Sequence, residues 1–86
     1  MSARSQQREF EARTQRALQF IADTMRARGY PPSRQEIADH VGYAGRGATQ
    51  PVIERLVQRG LLRVEPGQAR TITITEAGMK ALTEEL

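Results

Sequence analysis

From Phe10 onward the apolar residues fall in a helical rhythm, with Ala17, Leu18, Ile21, Ala22 and Met25 on one face of a segment running to Arg28. Gly29 ends that segment, and Pro31-Pro32 prevents its resumption. Ser33 and Glu36 then form the pattern S-x-x-E, in which each side chain bonds the other residue's backbone N–H. Ile37, Ala38 and Val41 give this second helix a buried face, and Gly42 closes it. A third stripe, Val52, Ile53, Leu56 and Val57, stops at Gly60. The face opposite it presents Gly47, Pro51, Glu54 and Gln58, with Arg55 at its edge. After Gly60 the rhythm turns from helical to alternating: "LLRVE" and "RTITIT" flank "PGQA" and predict a β-hairpin with a Pro-Gly turn. Ile72 and Ile74 point one way, and Thr71, Thr73 and Thr75 the other. Thr75 is placed to cap a last helix, "EAGMKALTEEL", with Met79, Leu82 and Leu86 at helical spacing and Gly78 weakening its first turn. Residues 1–9 carry no apolar period and are expected to form a flexible N-terminal arm.

The order helix, helix, helix, hairpin, helix describes a winged helix-turn-helix, an α+β but mainly α architecture. Residues 10–75 form the domain, and residues 76–86 a C-terminal helix whose Met79, Leu82 and Leu86 either cover the first helix of the same chain or make it a dimerisation element. Phe10, Phe20 and one side of Leu18 are further candidates for subunit contact. At 86 residues there is room for one modest core. A hydrophobic fraction of 38% and a charged fraction of 27% suit a folded chain. No apolar run approaches the roughly 18 residues that span a membrane, and no signal-peptide core opens the chain. The lack of cysteine excludes disulfides and thiolate metal sites and fits a reducing, cytoplasmic interior.

Charge adds a direction. The net charge is +3, and all basic residues except Lys80 are arginine. Residues 1–75 carry twelve basic and seven acidic groups, whereas residues 76–86 set Lys80 against Glu76, Glu84 and Glu85. A basic body with an acidic end suits a molecule one side of which faces phosphates.

The third helix starts with its weakest helix formers. Pro51 costs nothing in a first helical turn, whose N–H groups have no internal partner. The helix is therefore expected to begin with Thr49 or Gln50 as its cap, after a loop over residues 44–48. A start near Gly45 would put Pro51 past the free donors, at about 3 kcal/mol or a kink. A glycine-rich approach exposes backbone amides and admits a bulky anionic partner. There, Arg46 has the bidentate fork that suits guanine, and Thr49 and Gln50 suit adenine or phosphate. The plain alternative is a flexible loop with Arg46 solvated.

At "RGYPPSRQEIADHVGY" the sequence resembles the N-terminal domain of the LexA repressor family, without gaps from about Phe10 to Ile74. The likeness takes in Ala12-Arg13, the Gly29-x-Pro-Pro-Ser turn, Glu36-Ile37-Ala38, Gly42-Tyr43, Leu56 to Gly60, and Gly67 with Arg70. It implies a domain that binds double-stranded operator DNA as a homodimer, with the third helix in the major groove and the wing near the backbone. Arg13 becomes a phosphate contact by that likeness alone. The family's base-reading positions fall at Gly45, Gly47, Ala48, Gln50 and Pro51, and most differ from its usual polar and acidic residues. A different operator is expected. Family members carry a self-cleaving protease domain after this one; with the chain stopping at Leu86, autocleavage is not carried over. The stretch "TITITEAGMKAL" is also similar to the wing-to-helix passage of MarR-type regulators, whose terminal helix pairs subunits.

These readings give Arg46, Gly47, Thr49, Gln50 and Arg55 as candidates for base reading. Arg13, Ser33, Arg34, Arg59, Gln68 and Arg70 are candidates for phosphate or wing contacts. Ser33 and Arg34 open the second helix, where dipole and free amides favour phosphate; Ser33 as a simple cap and Arg59 as a dipole complement are the plain alternatives. His40 stands alone without the companions of a metal site, and no nucleophile has a base beside it. No metal, cofactor or catalysis is expected. The expected function is a sequence-specific transcriptional regulator acting by operator occupancy. The competing expectation is a winged-helix module that binds a partner regulator or polymerase subunit.

Overall fold

The computed structural model describes residues 3–65 and 71–84. In order it has α1 (Ala3–Arg28), α2 (Arg34–Val41), a 3-10 turn (Arg46–Thr49), α3 (Gln50–Gln58), β1 (Leu62–Glu65), β2 (Thr71–Ile74) and α4 (Glu76–Glu84). The two strands pair antiparallel, with Leu62 opposite Ile74 and Val64 opposite Ile72. The expected order of helices and hairpin is thus the observed one. Its Pro-Gly turn, with Gln68 and Arg70, lies outside the described residues.

One core joins every layer. Leu18 and Ile21 of α1, Ile37 of α2, Val52, Ile53 and Leu56 of α3, Leu62 and Ile72 of the hairpin and Leu82 of α4 are all buried in it. Burial of that many branched side chains, each contributing about 1.5–3 kcal/mol, is what holds α2 and α3 against α1. The alternating pattern of the hairpin delivers Leu62 and Ile72 to the same side, so the strands close the core beneath α3.

Three local expectations are corrected here. Helix α1 begins at Ala3, so residues 3–9 are helical and not a loose arm. Arg, Gln and Glu are good helix formers, and no breaker separates them from the buried stripe. Leu18 has no exposed side, being fully buried. Leu82, for which packing within its own chain is the alternative to a subunit contact, takes the former and lies in the core. Phe10, Phe20 and Met79 pack against that core as half-buried residues. Val57, assigned to the buried stripe, is 40% exposed and opens onto a groove between α3 and β1.

Helix α4 is set by Thr75 and Gly78. The Thr75 hydroxyl donates to the Gly60 carbonyl at 2.7 Å and accepts from Gly78 N–H at 3.0 Å, forming the expected cap. Gly78 does more than weaken a turn. A Cβ there would collide with the Leu61 carbonyl oxygen and stand 2.8 Å from Ile74 Cγ1, so only glycine lets α4 seat against the start of β1.

Candidate nucleic-acid interface

Helix α2 starts with a complete capping box. Glu36 N–H donates to Ser33 Oγ at 3.1 Å, and Ser33 N–H donates to Glu36 Oε1 at 2.9 Å. Arg28, at the end of α1, grips the same carboxylate with two hydrogen bonds of 2.9 and 3.2 Å, and its guanidinium lies over the Tyr30 ring. The bonds from Arg28, and then the Ser33 amide, hold Glu36 down at about 2, well below the usual carboxylate range. Ser33 is therefore committed to capping, with its hydroxyl oxygen turned to the helix backbone. Gly42, at φ 85°, stops α2 in the left-handed conformation that glycine adopts without strain.

The start of α3 is built differently. Residues 46–48, part of the loop expected over 44–48, wind with Thr49 into the 3-10 turn, and Gln50 N–H closes it on the Gly47 carbonyl. The α-helical bonding begins after that, which leaves Pro51 in the first turn of α3 where it displaces no donor. The switch from 3-10 to α winding is how the chain avoids the proline penalty. Thr49 makes no side-chain cap. It is fully buried, and its hydroxyl donates to the Arg46 carbonyl at 2.6 Å. That corrects its assignment as a base reader: Thr49 braces the turn from inside.

What remains on the outside is Arg46, Gly47, Gln50, Pro51, Glu54 and Gln58, all exposed. Gly45 and Gly47 need not be glycine for the fold's sake. Neither has positive φ, and a Cβ on either would meet nothing within 4 Å. Gln50 is tied across to α2: Arg34 Nη1 donates to Gln50 Oε1 at 2.7 Å, and Gln50 Nε2 donates to Glu54 Oε1 at 3.1 Å. Arg34 thus reaches the first residue of α3 from the first residue of α2.

Arg55 and Arg59 turn to the α1 side, where Arg13 and Arg16 also lie. Arg55 Nε lies 3.3 Å from Glu11 Oε1, and Arg59 Nη1 lies 3.7 Å from Glu11 Oε2. One carboxylate on α1 therefore holds both cations along the flank of α3, and Arg55 joins Arg59 there instead of the exposed strip. Arg13 lies over the Tyr43 ring at 4.9 Å, beside the turn that leaves α2. Arg16 Nη2 donates to the Val41 carbonyl at 3.3 Å, one of the last unpaired acceptors of α2. Glu11, Arg16 and Glu54 were not singled out from the sequence. Only the fold brings Glu11 to Arg55 across 44 positions, whereas the spacing of Gln50 and Glu54 at i and i+4 was a readable signal. His40 stacks on Phe20 with ring centroids 4.2 Å apart.

Two short helices crossing through a glycine turn, the second exposed and followed by a hairpin, define a winged helix-turn-helix of the kind that binds DNA. A family model described as the LexA DNA binding domain matches residues 7–71. The LexA repressor of Exiguobacterium sp. is 38% identical over 78 residues, covering 91% of this chain and 38% of the relative. That of Stenotrophomonas maltophilia is 46% identical over 65 residues, or 74% of this chain and 31% of its own length. The LexA repressor of Oenococcus oeni is 40% identical over 65 residues, covering 76% and 31%. The chain belongs to the LexA DNA-binding domain family, and it spans about a third of the length of these relatives.

Proposed function

We propose that this chain is a sequence-specific transcriptional regulator that works by occupying an operator, as a binding module and not as an enzyme. Helix α3 enters the major groove, with Arg46 and Gln50 reading base edges and Gly47 admitting the duplex closely. Arg34, Arg13, Arg59 and Arg55 face phosphates, Ser33 being taken up by its cap, and the hairpin with Gln68 and Arg70 lies along the backbone. Two copies bind a two-fold site, as the symmetry of an operator read by paired recognition helices requires. Such a regulator acts at the nucleoid of a bacterial or phage-infected cell. Among the described residues no helix is long and apolar enough to cross a membrane.

The observation that carries this reading is the start of α3. It leaves Arg46 and Gly47 exposed beside a half-buried Gly45, where the fold itself asks for neither the cation nor the glycines. Contact with an external polyanion supplies the missing reason.

Fluorescence anisotropy with labelled duplexes tests it. Affinity is expected to fall with salt at a log–log slope of about −0.9 per phosphate contacted. Sedimentation of the complex is expected to give two chains per duplex. A chain that ignores every duplex in dilute buffer would end this reading and leave the partner-protein alternative.

A further inference from the structure

The bridge from Arg34 through Gln50 to Glu54 settles the direction of one amide. An amide oxygen has two lone pairs and the amide nitrogen two hydrogens. Arg34 occupies one lone pair of Gln50 Oε1 at 2.7 Å, and Glu54 occupies one hydrogen of Nε2 at 3.1 Å. Reversing the amide would press its NH2 against a guanidinium and its oxygen against a carboxylate. Both contacts would then be repulsive, so the two charged neighbours select a single orientation.

The exposed amide keeps one acceptor and one donor. Adenine presents the complementary pair in the major groove, an N6–H donor beside the N7 acceptor, whereas guanine presents two acceptors, O6 and N7. A freely turning glutamine can offer a hydrogen to either purine. A locked one sets its oxygen against guanine O6.

We propose that Arg34 and Glu54 are positioning residues that hold Gln50 as a reader specific for adenine. This rests on the DNA-binding reading above and assigns Arg34 a role beyond holding phosphate. Arg34 sits at the first position of α2 and Glu54 one turn into α3, so the relay also couples the two helices at the point where the duplex would lie.

The test is selection of bound fragments from random duplexes by the 86-residue chain and its variants, with melting curves to verify folding. Wild type is expected to prefer adenine over guanine by about tenfold or more at one position, and Gln50→Ala to abolish that preference. Arg34→Leu and, independently, Glu54→Ala are expected to reduce it to about twofold or less at that same position, because an amide free to turn can offer a hydrogen to either purine. Arg34→Lys, which keeps a donor facing the amide oxygen, is expected to retain it. Adding Arg34→Leu to Gln50→Ala should change no base preference further. If Arg34→Leu and Glu54→Ala lower affinity equally on all sequences and keep the adenine preference, the relay has no part in specificity. If Gln50→Ala alters no position, Gln50 is not a reader and the inference falls while DNA binding stands. Failure of wild type to bind any duplex would instead remove the reading beneath it.

Discussion

Helices α2 and α3 share a layer and a similar length, yet they begin in opposite ways. The start of α2 is satisfied from within: Ser33 and Glu36 exchange bonds, and Arg28 reaches from α1 to hold the carboxylate. The start of α3 has no side-chain cap, is wound as a 3-10 turn, and turns its one hydroxyl inward to Arg46. On its outside are the cation of Arg46, the exposed Gly47 with the half-buried Gly45 beside it, neither required by the backbone, and an amide oriented by its neighbours. The lesson is a division of labour. The first helix start is made for stability, and the second leaves its groups to something outside the chain.

The sharpest way to break that contrast is at Arg46. Arg46→Ala is expected to cost about 1–3 kcal/mol at one base position while leaving stability within about 0.5 kcal/mol, read by anisotropy on permuted duplexes and by thermal melting. Equal loss on all duplexes would reduce Arg46 to a phosphate contact. Ser33→Ala is the mirror experiment. It is expected to lower stability by about 1 kcal/mol, a fall in Tm of roughly 4–8 °C for a domain of this size. A cap that can be removed without shifting Tm would erase the distinction between the two starts.

Acid gives a third handle. Because the folded-state value of Glu36 is depressed to about 2 from an ordinary 4.5, its contribution is fully present above pH 4.5 and is lost as pH falls through about 2. The Tm difference between wild type and Glu36→Gln is thus expected to be flat above pH 4.5 and to shrink below it. A difference that stays constant down to pH 2 would mean that the charge on Glu36 contributes nothing. The smallest effect belongs to Glu11. Glu11→Gln releases Arg55 and Arg59 from a half-exposed ion pair and is expected to tighten DNA binding by a few tenths of a kcal/mol at low salt, vanishing at high salt.

Much of this was readable in the sequence because it is local. The Ser33–Glu36 box, the Thr75 cap, the hairpin and the position of Pro51 each follow from residues at most a turn or a strand pair apart. What was not readable depends on distance or on absence. The polar stretch after Ala3 carries no buried stripe, so its helicity rests on propensity with nothing in the pattern to mark where it begins. Thr49 reads as a polar helix start, and only the packing of α2 on the 3-10 turn buries it. Val57 fits the stripe by angle, but the hairpin lies beside α3 and leaves that end of the stripe uncovered. Glu11 has no signal at all in its own neighbourhood. Of the candidate site, the exposure of Arg46 and Gln50 was legible in their position at the helix start, whereas the pairing that draws Arg55 to the flank was not.

Gly78 meets both ends of the hairpin at one point. With no side chain between them, the first turn of α4 rests directly on the carbonyl that precedes β1 and on Ile74, the last residue of β2. A helix seated that tightly cannot tilt without carrying the root of the hairpin along, so the wing's angle to the rest of the body is set by its C-terminal neighbour as firmly as by its own strands.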